Sequence, residues 1–384
     1  MNKKKLLGQF FTKNSDYILK NLEPYVYKQS VIDIFCGNKD LLNWAIKHGA
    51  NKVLGYDIDK TLIDNKTIFY QDSLNNPQET ISNSFILTNP PYLNINQSNK
   101  NYEKLFNKNP NCKDLYHIAL KNILSSDMGI LILPINFLIS HQANFIRTLF
   151  FQKFQIITCN YFSNQVFNKT KTNIISFYYK RATSPSENTF NLTLYPTNEV
   201  IKITLSNLYN YQLGGKNLTK FYSQKIFNKV RYLSPKDIQK GDIPINLAFE
   251  NIKNSRITHI NPTTYNLIQN NIILFSAIST KSNLKNHNFL TKITTQNIEG
   301  LIGNNNSRNQ IHLIFQHPIS INIQEELIFL VNQEINNLQK SYHNLIFVNY
   351  RDNNRKRISF QLINQILNYF LYQIQITKSA KVDT

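Results

Sequence analysis

Cysteine, acidic side chains and long apolar runs are all scarce in this sequence, and each shortage excludes a class of protein. Only Cys36, Cys112 and Cys159 occur in 384 residues, odd in number and far apart. They can form neither a disulfide framework nor a CxxC zinc or redox site. The eight histidines show no zinc spacing. The longest apolar stretch, Gly129–Ser140, is interrupted by Pro134 and Asn136. A bilayer-spanning helix needs about 20 apolar residues, so this stretch is too short. Lys3–Lys5 precede Gly8 and Gln9, which cut off any apolar signal core. The expectation is a soluble, cytoplasmic chain with no membrane partner.

Lys and Arg number 43 against 23 Asp and Glu, for a net charge of +20. Residues 1–180 carry 21 basic and 12 acidic side chains, and residues 181–384 carry 22 and 11. The excess therefore covers both halves, the usual electrostatic footprint of a nucleic-acid partner. An AT-rich coding sequence also enriches Asn, Ile and Lys, so charge alone does not decide the matter. Hydrophobic residues make up 41% of the chain, enough for packed cores.

The first half alternates strand-like and helix-like segments. Ser30–Cys36, Lys52–Ile58, Ser84–Thr88 and Gly129–Leu133 are short apolar runs of buried-strand type. Leu41–His48 and Leu115–Leu124 have helical spacing. Such alternation predicts a mostly parallel sheet with helices on both faces. Gln155–Tyr161 and Thr172–Lys180 are predicted to close it as a terminal antiparallel pair. Ala182–Asn188 is a polar break, and the first domain is expected to end between it and about residue 215. In the second half Ile323–Leu338 and Phe360–Ile374 read as helices, the rest is Asn- and Ile-rich, and no repeat is present.

The chemistry is concentrated at the strand ends. Gly37 follows the first buried strand, where a glycine lets the backbone turn sharply beside a ligand. Asp57 lies at the end of the next strand, a place where a carboxylate holds ribose hydroxyls. Asp72 could then receive an exocyclic amine. Together these point to an adenosine-containing cofactor. Asn38, Lys39 and Asp40 stand where a pyrophosphate site would need further glycines, so NAD is disfavoured. The bland alternative is an ordinary turn flanked by surface acids.

Asn89-Pro90-Pro91-Tyr92 closes another strand. The lone pair of an aromatic exocyclic amine such as adenine N6 is delocalised into the ring, which makes it a poor nucleophile. The Asn89 side-chain oxygen and the Pro90 carbonyl can accept both amine hydrogens and favour a pyramidal nitrogen. The prolines stiffen the turn, and Tyr92 offers a face for stacking. On stacking alone, Tyr92→Phe should be mild. The alternative is a proline-rich turn with a packed tyrosine.

The ordered set Gly8–Thr12 (GQFFT), Asp33–Gly37 (DIFCG), Asp57, Asp72 and Asn89–Tyr92 (NPPY) resembles motifs X, I, II, III and IV of the gamma-class S-adenosylmethionine-dependent N6-adenine DNA methyltransferases. Asp114-Leu115-Tyr116 resembles motif V, Gly129–Pro134 motif VI, and Gln165-Val166-Phe167 motif VIII. The resemblance covers about residues 1–180. It departs from the family after Gly37, where further small residues are usual.

The resemblance implies a doubly wound, mostly parallel Rossmann-like methyltransferase sheet in residues 1–210. An α+β target-recognition domain would occupy residues 211–384. It implies S-adenosyl-L-methionine as cofactor, S-adenosyl-L-homocysteine as product, and no metal. The cofactor would be held by Gln9, Phe10, Thr12, Asp33, Phe35, Gly37, Asp57, Ile58, Asp72 and Asn89. Asn89, Pro90 and Tyr92 would be catalytic, with Tyr92 and Phe167 stacking on a flipped adenine and Phe162 competing with Phe167. Cys36, not preceded by proline as a C5-cytosine nucleophile is, reads as a packed residue near the cofactor. Duplex DNA is the implied partner, possession of a cognate restriction endonuclease is compatible, and the chain is expected to be a monomer.

Three other functions fit parts of the pattern. An N4-cytosine enzyme more often begins its tetrapeptide with Ser, and RNA or protein-glutamine methyltransferases also carry Asn-Pro-Pro-aromatic. A non-catalytic nucleic-acid-binding protein would share the charge but has no need of Asn89, Pro90 and Asp57 together. In the second half, Arg351, Arg355, Lys356 and Arg357 form a basic cluster suited to phosphate or guanine contacts, or to a solvated loop. The polar stretch Leu93–Lys113 is expected to be mobile without DNA.

Overall fold

β-branched and aromatic runs between turn residues form the strands of a nine-stranded sheet in residues 1–215 of this computed structural model. They are β1 (Ser30–Asp33), β2 (Lys52–Asp57), β3 (Ile68–Tyr70), β4 (Phe85–Thr88), β5 (Met128–Pro134), β6 (Phe154–Phe162), β7 (Ile174–Arg181), β8 (Glu187–Tyr195) and β9 (Glu199–Ser206). Their spatial order is β3-β2-β1-β4-β5-β7-β6-β8-β9. The first five pair in parallel, β7 runs antiparallel between β5 and β6, and β8 is parallel to β6. The structure describes residues 12–76, 81, 84–97, 100–167, 172–183, 185–279, 288–303, 310–350 and 352–382. The chain divides into two compact units, Met1–Gly215 and Lys216–Thr384.

Strand alternation gives the sheet of the first unit two apolar faces. Phe85, Leu87, Ile130 and Ile132 join Leu41 and Trp44 of the Asp40–Lys47 helix in one core cluster. On the other face Phe177 and Tyr179 meet Phe150 of the Asn144–Phe151 helix, with ring centroids 5.9 and 5.4 Å apart. A Cβ on Gly129 would lie 2.1 Å from the Ile86 carbonyl oxygen, so glycine is required where β5 passes β4.

One expectation is corrected. The β6–β7 pair is antiparallel but not terminal, because β8 and β9 extend the sheet beyond β6. The polar segment before them ends in a strand whose alternate residues Asn188, Phe190 and Leu192 are buried. The polar stretch after Tyr92 contains the Lys100–Lys108 helix, and its Leu93, Leu105, Phe106 and Cys112 bury against Leu115 and Ile118.

The second unit mixes short strands with two long helices, Ile321–Tyr342 and Phe360–Val382. Its strands are β10 (Val230–Tyr232), β11 (Lys240–Phe249), β12 (Asn251–Ile260), β13 (Ile273–Ser276), β14 (Ile278–Ser279), β15 (Leu290–Lys292), β16 (Gly300–Ile302), β17 (Gln310–Phe315), β18 (Val348–Tyr350) and β19 (Asp352–Arg357). They form sheets ordered β10-β17-β13-β15, β12-β11-β16 and β14-β19-β18. Amide side chains join helix to strand here: Asn364 and Asn368 accept the backbone N–H groups of Val230 and Asn228, at 2.8 and 2.9 Å. Among the described residues no helix is long and apolar enough to cross a membrane.

Candidate active site

The strand order reverses between β1 and β4, so the crossovers leave this boundary in opposite directions. In open α/β sheets the carboxyl ends of the strands at such a point form a crevice. Asp33, Asp57 and Thr88 are the last residues of β1, β2 and β4.

Asp33 is fully buried. Its Oδ1 accepts the Phe35 N–H at 3.0 Å and the Thr88 hydroxyl at 2.6 Å, which ties motif I to the residue before Asn89. Its Oδ2 is buried with no hydrogen-bond partner. Burial raises its pKa to about 7, against the two hydrogen bonds that favour the anion. Asp57, 6% exposed, accepts the Gly37 N–H at 2.8 Å through Oδ2 and the Asp59 N–H at 2.8 Å through Oδ1. Burial also raises its pKa.

Gly37 has φ +49° and Lys39 has φ +66°, both left-handed. Lys39 thus takes a conformation that favours glycine, at a cost of about 1–2 kcal/mol. Its ammonium pairs with Asp64 at 2.5 Å. Asp64 also caps the backbone of Lys66, Thr67 and Ile68, and these bonds hold its carboxyl well below the usual carboxylate range. The small residues missing after Gly37 are replaced by a pinned turn. Cys36 is buried against Leu42 and Ile68, and burial pushes its thiol pKa up, away from nucleophilic use.

Asn89 and Pro90 are buried at the end of β4. The Asn89 amide Nδ2 donates to the Thr12 hydroxyl at 3.1 Å, so two residues 77 positions apart in sequence meet. The Tyr92 hydroxyl reaches Asn89 Oδ1 and, at 2.8 Å, the Ile132 carbonyl. Its ring meets Tyr116 edge-on, at 89°. Asp114 holds the following turn by accepting the Leu93 N–H at 3.0 Å, and burial raises its pKa to about 7. His117, buried beside it, is pushed down to about 3 and is neutral.

Phe167 is 4% exposed and belongs to the core cluster against which Tyr92 packs. Phe162 is wholly buried, stacked on Tyr195 at 5.1 Å and edge-on to Tyr17. Asp72 lies two residues beyond β3 and caps its own turn through Leu74 and Asn75. Ile58 is 48% exposed just after β2, and Phe35 is half-buried. Gln9, Phe10 and Arg351 lie outside the described residues, as do the side chains of Arg355 and Arg357.

The basic cluster needs one correction. Lys356 is only 4% exposed, and burial lowers its pKa to about 7. An ammonium in that position is not a surface contact for phosphate. Three roles escaped sequence reasoning: Thr88 as a partner of Asp33, Ile132 through its carbonyl, and Asp114 as a turn anchor. Asp114 and Ile132 carried a local signal, through the motif V and motif VI resemblances.

These groups suit an adenosine-bearing cation. Asp33 offers an unpartnered carboxylate oxygen, Gly37 a turn without a side chain, and Asp57 a carboxylate with lone pairs beyond its two backbone bonds. They can hold a cofactor through its charge and hydroxyls, and Asn89 can accept an amine hydrogen beside it.

No protein-family model and no curated protein matches the sequence. Solved structures do. The type IIL restriction-modification enzyme MmeI, determined in complex with DNA, aligns over 92% of this chain and 64% of its own, at 12% identity and a TM-score of 0.52. The methyltransferase subunit of a type I restriction-modification system from Streptococcus thermophilus aligns over 54% and 59%, at 15% identity and a TM-score of 0.38. The M protein of the type I restriction enzyme EcoKI aligns over 49% of each chain, at 12% identity and a TM-score of 0.35. The structural neighbours are thus restriction-modification methyltransferases. The likeness to MmeI shows a shared fold. The present chain spans between 44% and 64% of the length of the structures it matches first.

Proposed function

We propose that this protein is a site-specific DNA methyltransferase that moves a methyl group from S-adenosyl-L-methionine to N6 of an adenine turned out of duplex DNA. The observation that carries the proposal is the Asn89–Thr12 hydrogen bond beside the Thr88–Asp33 bond. Thr12, Asp33, Thr88 and Asn89 come together there, at the reversal of the strand order. Residues 1–210 would form the catalytic domain and residues 211–384 the target-recognition domain, in a cytoplasmic monomer that serves a restriction-modification system.

Asp33, Phe35, Gly37, Asp57, Ile58 and Asp72 would hold the cofactor, with Gln9, Phe10 and Thr12 closing over it. When bound, the cofactor supplies an electrophilic methyl group. Asn89 Oδ1 and the Pro90 carbonyl accept the two hydrogens of the target amine and localise its lone pair. Tyr92 and Phe167 would flank the base, replacing the stacking it had in the duplex. Burial of Asn89 excludes water that would compete for the amide oxygen.

The test is transfer of a labelled methyl group to duplex DNA from a methylation-free host, followed by nucleoside analysis. N6-methyladenine is the expected product. N4-methylcytosine would move the reaction to cytosine, and label in RNA or protein alone would remove DNA as substrate.

A further inference from the structure

Strand β12 breaks the burial pattern of its neighbours. From Asn251 to His259 it has no buried residue, and only Ile260 is enclosed. Its partner β11 is anchored on both faces: Ile245 and Leu247 enter one apolar cluster and Ala248 another. Apolar burial in this sheet thins beyond β11: on β12 only Ile260 is enclosed and Ile252 packs half-buried on the second cluster, while residues 253–257 and 259 stand in solvent at the edge of the sheet. A strand needs at least one apolar face to be held by packing, and an open edge of this length invites unwanted pairing. Its exposure calls for a function.

Apart from Ile257, which is 71% exposed, the side chains displayed in the middle of the strand are hydrogen-bonding or cationic: Lys253, Asn254, Ser255, Arg256 and His259 are all exposed. Arg256 is preset, with its guanidinium 4.1 Å from the centre of the Phe249 ring. The register jumps from Ser255 to Asn251, which leaves residues 252–254 outside the ladder. There the Lys253 N–H is fixed by Asn251 Oδ1 at 2.9 Å. The acids of the hairpin are Asp242, near its base beside Lys240, and Glu250 at its tip. Residues 216–384 as a whole carry 20 Lys and Arg against 9 Asp and Glu.

We infer that the β11–β12 ribbon is a docking surface for duplex DNA, with Lys253 and Arg256 set against phosphates; this rests on the DNA-methyltransferase proposal above. A major groove about 12 Å wide admits a two-stranded ribbon. Donors on both faces of one strand suit a partner that presents acceptors on both sides, as a groove does. A second copy pairing along the β12 edge is disfavoured, because it would bring the Lys253 and Arg256 charges of two chains together.

The experiment measures binding of the full chain to a mixed-sequence duplex by fluorescence anisotropy across a salt series, with light scattering on the same samples. Lys253→Ala/Arg256→Ala is expected to lower affinity about tenfold at low salt and to reduce the salt slope by about 2, near 0.9 for each phosphate left without its cation. Ser255→Glu, a single exposed change that adds an anion, is expected to weaken binding to a similar degree. Ser255→Glu should melt as the wild type does, since it alters only an exposed side chain, and it separates the effect of charge from loss of the Arg256–Phe249 contact. If the wild type binds and both variants match its affinity and slope, the ribbon assignment is overturned while the DNA-methyltransferase proposal stands. A wild type that binds no duplex at any salt concentration overturns both. A wild-type dimer that the substitutions dissociate makes the ribbon a contact between copies and overturns its assignment to DNA.

Discussion

The phenol of Tyr92 is hydrogen-bonded to the side-chain oxygen of Asn89. The same hydroxyl lies 2.8 Å from the Ile132 carbonyl, yet it has one proton to donate. Thr12 engages the other end of the amide. Asn89 is thus held from two sides, by residues 77 positions before it and 3 after it. In the proposed reaction an amide fixed in this way would not have to be ordered when the base arrives, and this preorganisation would lower the barrier.

Tyr92→Phe tests that role. The ring remains for stacking but the amide loses its anchor, so methyl transfer is expected to slow about tenfold, or about 1.4 kcal/mol. Cofactor affinity by calorimetry should stay within a few-fold. The stacking argument taken alone expects a mild effect, and full activity in this variant would return Tyr92 to a stacking role only.

Asn89→Ala and Asp57→Asn should have opposite signatures. The first is expected to remove transfer while cofactor binding persists. The second should weaken cofactor binding and also lower the melting temperature, because Asp57 accepts the Gly37 and Asp59 backbone N–H groups. Charge-assisted bonds of this kind contribute about 1.5–3 kcal/mol each. Unchanged cofactor affinity in Asp57→Asn would move the ribose contact elsewhere.

Asp33 gives cofactor binding a pH dependence. With its pKa near 7, the side chain is mostly protonated at about pH 6 and mostly ionised at about pH 8. A cationic cofactor is attracted by the anion, so its affinity should weaken as pH falls through 7. Stability should run the other way. The folded pKa values of Asp33 and Asp114 lie near 7, above the value of 3.8 for the free side chain. The folded state therefore holds extra protons between about pH 4 and 7, and their contribution to stability is lost as pH rises through that window. Calorimetric titrations at three pH values, repeated with Asp33→Asn, check the first claim. Asp114→Asn, which should melt higher than the wild type at about pH 8, checks the second.

Lys356→Met should leave the salt slope of DNA binding unchanged, because the ammonium is buried and makes no surface contribution. A slope reduced by about 1 would show instead that Lys356 neutralises a phosphate.

Much of the first unit was legible because the relevant signals are local. Buried strands are short apolar runs, and Asp33, Gly37, Asp57 and Asn89 stand at or just beyond their ends. Composition marked the stretch after Tyr92 as polar, and only the packing shows that its Leu105 and Phe106 bury against Leu115 and Ile118. The polar segment before residue 188 looked like the end of the sheet, yet whether a strand lies at an edge depends on which strands join later.

What the sequence determined by itself is the identity and order of the chemical groups and their positions at strand ends, since both follow from residue type and short-range periodicity. Which groups touch was decided by tertiary structure. Thr88 meets Asp33 across 55 positions, and the Tyr92 hydroxyl turns inward to Ile132 across 40. In the basic run, Lys356 is buried. No local rule encodes these pairings, because hydrogen-bond geometry and burial depend on the register of neighbouring strands, and that register is set only when distant segments pack together.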